Sequence, residues 1–291
     1  LAPDIELVGL TSIFGNVPVE QATRNACSLS DFMSGTVPVA AGSAHPLHRN
    51  NDRYPDYVHG KNGFGDISLE SPSTQPIDQS AVDFIIEQIN SAPGEITLVP
   101  IGPLTNIAKA LEKAPEITAN VKEVVLMGGA ATVNGNVNPA AEANILSDPP
   151  AADHVFTADW PVTMVGLDVT HKIVMDELYL DRVHQSEKPI GGFLRQIAQF
   201  YLDFHRSTGV DGLFTHDPST IAYLLKPELF TLQSGAVRVC TEGIATGQTL
   251  MNRSKKLYKE TAWDGVPESN ACVDVDSEAI LALYEGIMSG Y

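Results

Sequence analysis

Five short apolar runs, interleaved with stretches of helical periodicity, constrain this chain more than any other feature. The runs are residues 5–10, 37–41, 96–101, 123–127 and 162–167, rich in Val, Ile, Leu and Met. Helical patterns cover residues 18–34, 78–91, 103–113 and 148–157 between them, and 176–187, 190–206 and 217–225 beyond them. A short apolar run with little polar alternation reads as a strand covered on both faces. Strands alternating with helices predict an α/β fold, an open and mainly parallel sheet with helices on both faces. Asp148-Pro149-Pro150 gives one of those helices a capping residue and early prolines. No repeat, low-complexity stretch or linker interrupts the pattern, so residues 1–291 read as a single domain.

Charge and cysteine usage narrow the function. The chain carries 36 acidic and 18 basic side chains, a formal net charge of −18. That balance argues against nucleic acid or an anionic membrane as partner, because phosphate contacts need clustered Lys and Arg. Cys27, Cys240 and Cys272 fit neither a disulfide framework nor a zinc spacing, which favours a reducing, cytoplasmic setting. No apolar run is long enough to suggest a membrane span.

Ligands of open parallel sheets sit beyond the carboxyl ends of the strands. Polar groups and glycines gather there: Ile13 to Asn16, the long 42–77 segment with Val58-His59-Gly60, Gly102 to Asn106, Met127 to Gly129, 135–144, and Leu167 to His171. Each has an ordinary reading. Residues 135–144, dense in Asn, form a turn-rich loop or a set of partners for sugar hydroxyls. Asp217, before Pro218, is a helix N-cap or a metal and hydroxyl ligand, and His216 a leaving-group acid. His59 is a surface histidine or a catalyst. Phe200 and Phe204, four apart on a helix, form core packing or a ligand wall. His171 has no clear partner, and His205 reads as structural or solvated.

Taken in order, these blocks resemble the nucleoside hydrolases. They are Ile-Phe-Gly-Asn (13–16), Val-His-Gly (58–60), Pro-Ile-Gly-Pro-Leu-Thr-Asn-Ile-Ala (100–108), Leu-Met-Gly-Gly (126–129), Gly-Asn-Val-Asn-Pro-Ala-Ala-Glu-Ala-Asn (135–144), Leu-Asp-Val-Thr-His (167–171) and His-Asp-Pro (216–218). The resemblance runs from residue 5 to about residue 280 and implies a Rossmann-like core. It implies hydrolysis of the N-glycosidic bond of inosine- or uridine-type ribonucleosides, using a calcium-bound water. By the same resemblance, Asn16, Asn136, Glu142 and Asn144 hold the ribose hydroxyls, with Met127 beside the sugar. Asp217 and the Ile101 carbonyl are calcium ligands, and His216 and His59 are the catalytic histidines. Phe200 and Phe204 line the base site, and a homo-oligomer, dimer or tetramer, is expected.

One block of that family is not among these residues. Its members begin with a strand and an Asp-rich turn, Asp-x-Asp-x-Gly-x-Asp-Asp, which supplies most of the calcium ligands and the base for the water. This chain opens instead on Leu1-Ala2-Pro3-Asp4, and neither Asp4 nor Asp31 follows an apolar strand with that spacing. The expectation is a domain shortened at its N-terminus, with residues 1–291 alone inactive. The alternative function is a non-catalytic protein that binds ribosides or a partner. Relatives often carry an aromatic residue at the position of Ala143, so base stacking there is not expected.

Overall fold

A computed structural model describes residues 4–49, 54–184, 189–254, 256, 258–259 and 261–290. The expectations for Leu1 to Pro3 and for the end of the 176–187 helix lie outside these residues. The strands are β1 (Leu10–Thr11), β2 (Val39–Ala40), β3 (Thr97–Leu98), β4 (Glu123–Met127), β5 (Val162–Val165), β6 (Val174–Met175), β7 (Leu213–Phe214), β8 (Phe230–Val239), β9 (Thr249–Asn252) and β10 (Glu268–Val275). The helices are α1 (Val19–Phe32), α2 (Asp56–His59), α3 (Ala81–Ser91), α4 (Thr105–Lys113), α5 (Ala143–Ser147), α6 (Pro149–Thr157), α7 (Leu167–Thr170), α8 (Glu177–His184), α9 (Pro189–Ser207), α10 (Pro218–Leu225) and α11 (Ser277–Ser289).

The central sheet has the order β3-β4-β5-β10-β8-β9. Neighbours from β3 to β10 run parallel, and β8 and β9 join antiparallel at one edge. Alternate residues of β4 face opposite cores. Val124 and Leu126 pack with Ile89, Leu111 and Phe156 of α3, α4 and α6. Val125 packs with Ala222 and Tyr223 of α10 and Ile280 of α11. Helices therefore cover both faces, which is why β4 and β5 read as continuous apolar runs.

The sequence reading matched β4 residue for residue, drew β2, β3 and β5 too long, and began β1 too early. Leu10 pairs with Val39 and Thr11 with Ala40, in a parallel pair separate from the central sheet. Residues 5–9 stay outside any strand, and Val8 is 39% exposed. Leu167, expected at the end of β5, instead opens α7. The reading placed no strand beyond residue 225. It missed the antiparallel ladder in which Glu268 pairs with Ala236 and Val275 with Phe230.

Asn106, at the start of α4, links the β1–β2 pair to the central sheet. Its Oδ1 accepts from the Ser43 N–H at 2.9 Å and its Nδ2 donates to the Ser12 carbonyl at 2.9 Å. The approach is close enough that a Cβ on Gly42 would sit 2.1 Å from the Ser12 oxygen, so only glycine fits there.

Candidate active site

The turn after β4 and the start of α5 form the acidic side of the rim. Glu142, 2% exposed, caps α5 with its carboxylate: Oε1 accepts from the Asn144 N–H, and Oε2 from the N–H groups of Gly129 and Ile145, at 2.9–3.1 Å. Burial raises its pKa, and these N–H bonds oppose the rise. Asn144 turns inward, its Nδ2 donating to the Met127 carbonyl at 3.0 Å and, more weakly, to the Ile101 carbonyl at 3.4 Å. Two strand ends and the 135–144 loop are thus tied at one point. Asn136, exposed, accepts the Ala143 N–H at 3.1 Å, while Asn138 closes an Asx turn on Ala140. The loop is partly the turn its composition suggests and partly an inward-facing polar wall.

Asp217 stands at the N-cap position of α10, yet its side chain makes no capping hydrogen bond. Pro218 and Ser219 continue the helix while the carboxylate points elsewhere, so capping does not account for this aspartate. Asp217 is exposed at its surface, yet the protein groups around it desolvate the carboxylate and, with Glu142 nearby, push its pKa up to about 7. Among the described residues this carboxylate has no hydrogen-bond partner, which leaves its oxygens open to a hydroxyl or a cation.

Opposite lies an aromatic and histidine cluster. The antiparallel β6–β7 pair, Val174 with Phe214, delivers His216 beside α7. There His216 Nδ1 lies 2.8 Å from the Thr170 hydroxyl, and the His171 ring stands edge-on at 5.6 Å. His59, at the end of α2, stacks on Tyr201 of α9 at 5.3 Å, and Tyr201 meets His205 edge-on at 4.4 Å. Phe204 contacts the exposed Tyr57 at 5.9 Å. Burial, with the neighbouring histidines, lowers His216 to about 3, and burial with His205 lowers His59 to about 4. Both rings are neutral at physiological pH.

Several expectations change here. Phe200 and Phe204 part company: a Cβ on Gly65, whose φ is +65°, would fall 2.7 Å from the Phe200 Cβ, so Phe200 packs under the 60–66 loop. Tyr201, His171 and His205 are members of the cluster that sequence reasoning left out. Tyr201 and His205 also stand four apart on α9, and that spacing was the available signal. Among the described residues, neither ring nitrogen of the buried His205 has a hydrogen-bond partner. Asn16 is exposed in the turn after β1, and a Cβ on its neighbour Gly15 would lie 3.3 Å from Pro103, which puts that turn beside the β3–α4 turn.

Two buried aspartates brace the rim. Asp168, 1% exposed, accepts from Ala131 N–H and Thr132 N–H at 2.7 Å and from the Thr132 hydroxyl at 2.5 Å. Asp148 accepts from the Leu47 N–H at 2.9 Å and the Thr105 hydroxyl at 2.6 Å while also capping α6.

Comparisons with known proteins identify the family. The family model described as inosine-uridine preferring nucleoside hydrolase matches residues 1–282. Uridine nucleosidase 1 of Arabidopsis thaliana is 41% identical over 284 residues, covering 96% of this chain and 84% of the relative. A probable uridine nucleosidase 1 of Oryza sativa subsp. japonica is 40% identical, covering 99% and 90%. A solved plant nucleoside hydrolase superposes with a TM-score of 0.96 at 38% identity, covering 99% of this chain and 92% of that one. A purine-preferring ribonucleoside hydrolase from Gardnerella vaginalis superposes at 0.92 with 35% identity, with the same coverage. The chain belongs to the inosine-uridine preferring nucleoside hydrolase family.

Proposed function

We propose that the rim cluster binds a ribonucleoside and that its N-glycosidic bond is hydrolysed there to ribose and free base. The observation that carries this reading is the Asp217 carboxylate, beside Glu142 and without a hydrogen-bond partner among the described residues. Breaking the bond leaves positive charge on the sugar, which nearby carboxylates stabilise. In this reading Asn16, Asn136, Glu142 and Asn144 take ribose hydroxyls, Asp217 takes the diol, and Met127 packs beside the sugar. The base lies against His59, Phe204 and Tyr201, with Phe200 supporting the wall from behind, and His216 donates to the leaving base. The plant relatives named as uridine nucleosidases make uridine the first substrate to try and inosine the second. Chromatography of uridine and inosine incubations tests this directly. Release of free base and ribose supports the reading, and absence of both binding and release overturns it.

Calcium is the ion that family membership implies, with Asp217 and the Ile101 carbonyl as ligands. Calcium takes about six to eight oxygens, and these two groups do not make a shell. Among the described residues, no group of three or more His, Cys, Asp or Glu side chains is gathered to hold a metal. The residues present do not by themselves fit the ion. A second reading is that ribosides bind at this rim without turnover. Calorimetry that detects uridine binding, with no uracil formed, distinguishes it from the first. A cytoplasmic homo-oligomer, dimer or tetramer, completes the proposal. The described cysteines Cys27, Cys240 and Cys272 are all free, which suits a reducing compartment. Light scattering on the purified protein tests the oligomer.

A further inference from the structure

We propose that Thr170 is the positioning residue that fixes which nitrogen of His216 carries the hydrogen, holding the ring as its Nε2–H tautomer. Thr170 is 0% exposed. Among the described residues its hydroxyl has one hydrogen-bond partner, His216 Nδ1 at 2.8 Å. That contact can be made in two ways. If Nδ1–H donated to the hydroxyl, the threonine's own O–H would point into protein without an acceptor. A buried donor left unmade costs more than an unused lone pair on an oxygen that already takes part in one bond. The hydroxyl therefore donates, Nδ1 accepts, and a neutral ring keeps its hydrogen on Nε2.

The surroundings hold this arrangement in place. Thr170 ends α7, where its N–H donates to the Gly166 carbonyl at 3.1 Å, and its carbonyl accepts from the Ile173 N–H at 3.3 Å. The Ile173 carbonyl in turn accepts from the Thr215 N–H at 2.9 Å, so the segment carrying His216 is tied to the segment carrying Thr170. His171 and Phe214 flank the ring at 5.6 and 5.9 Å. The imidazole is thus gripped at Nδ1, and Nε2 is the nitrogen left for a ligand. In that state it is a hydrogen-bond donor and not a base. It suits an acceptor on a departing base, a carbonyl oxygen or an unprotonated ring nitrogen. This last step rests on the nucleoside reading above, whereas the tautomer does not.

Nitrogen-15 NMR of histidine-labelled protein at pH 7.5 reads the tautomer without needing turnover. The wild-type spectrum is expected to show His216 Nδ1 as an unprotonated, pyridine-type nitrogen and Nε2 as protonated. Thr170→Ser keeps the hydroxyl and should keep that pattern. Thr170→Val, nearly isosteric, should move His216 toward the Nδ1–H form and weaken uridine binding roughly tenfold, the worth of about one hydrogen bond. A wild-type His216 protonated on Nδ1, or an unchanged tautomer in a folded Thr170→Val protein, overturns the proposal. If the valine variant does not fold, the wild-type and serine spectra still decide. Failure of uridine to bind any form, with the tautomer as stated, counts against the nucleoside reading alone.

Discussion

Asp168→Asn is the perturbation whose consequence follows most directly from the structure. The buried carboxylate receives the Ala131 N–H on one oxygen and the Thr132 N–H and hydroxyl on the other. An asparagine keeps one acceptor oxygen, so the replacement amide must turn an NH2 toward at least one of these donors. Two effects add: hydrogen bonds to a charged group, worth about 1.5–3 kcal/mol each, become neutral ones, and one buried donor is left unmade at about 1–3 kcal/mol. The expected loss is about 3–5 kcal/mol. At about 2 °C per kcal/mol for a chain of this size, the melting temperature should fall by roughly 6–10 °C. Hydrogen exchange should quicken at the amides of residues 129–134, the turn that Asp168 braces, more than elsewhere in the sheet. Thr132→Ala, which removes one of the three donors, should cost about 1.5–3 kcal/mol. A variant melting within about 2 °C of wild type, with unchanged exchange in that turn, would refute the reasoning.

Other perturbations follow from the same site. His59 is lowered by burial from 6.5 to about 4, so the unfolded chain takes up its proton first as the pH falls. The stability of the neutral ring is complete above about pH 6.5, is lost progressively toward pH 4, and amounts to about 3 kcal/mol. Denaturant titrations at pH 7.5 and 4.5 should show a smaller fall in His59→Phe than in wild type, His216, which burial also lowers, keeping its own share. Asp217→Asn removes a carboxylate that has no capping bond. After allowance for the solvent that reaches this residue, the variant should gain about 1 kcal/mol at pH 8, a slightly higher melting temperature, while riboside binding falls at least tenfold. Asp31, which accepts from Ser73 and Thr74 and is lowered to about 2, should give an NMR titration midpoint well under that of an exposed aspartate, and Thr74→Val should raise it.

Much of the architecture was legible because it is written in local pattern. The apolar runs of β4 and β5 and the Asp148-Pro149-Pro150 start of α6 specify themselves. The β8–β10 ladder did not, because β8 mixes buried and exposed residues around Gly235 and gives no clean alternation. The site was legible as a set of blocks but not in its wiring. Nothing local says that Asp217 declines the capping bond its position offers, or that Glu142 accepts one. Asp168 and Asn106 act across separations of tens of residues, and no pattern within a segment records that. Tyr201 and His205 carried a readable i, i+4 spacing, obscured because Phe200 and Phe204 offered the same one.

The central claim is that the rim between Glu142, Asp217 and His216 is a ribonucleoside site. Calorimetric titration of uridine into the wild-type protein and into Asp217→Ala tests it most directly, with circular dichroism confirming that both are folded. The account predicts saturable one-site binding to wild type, and at least a tenfold loss in the variant. Equal binding to both, or none to either, would contradict it.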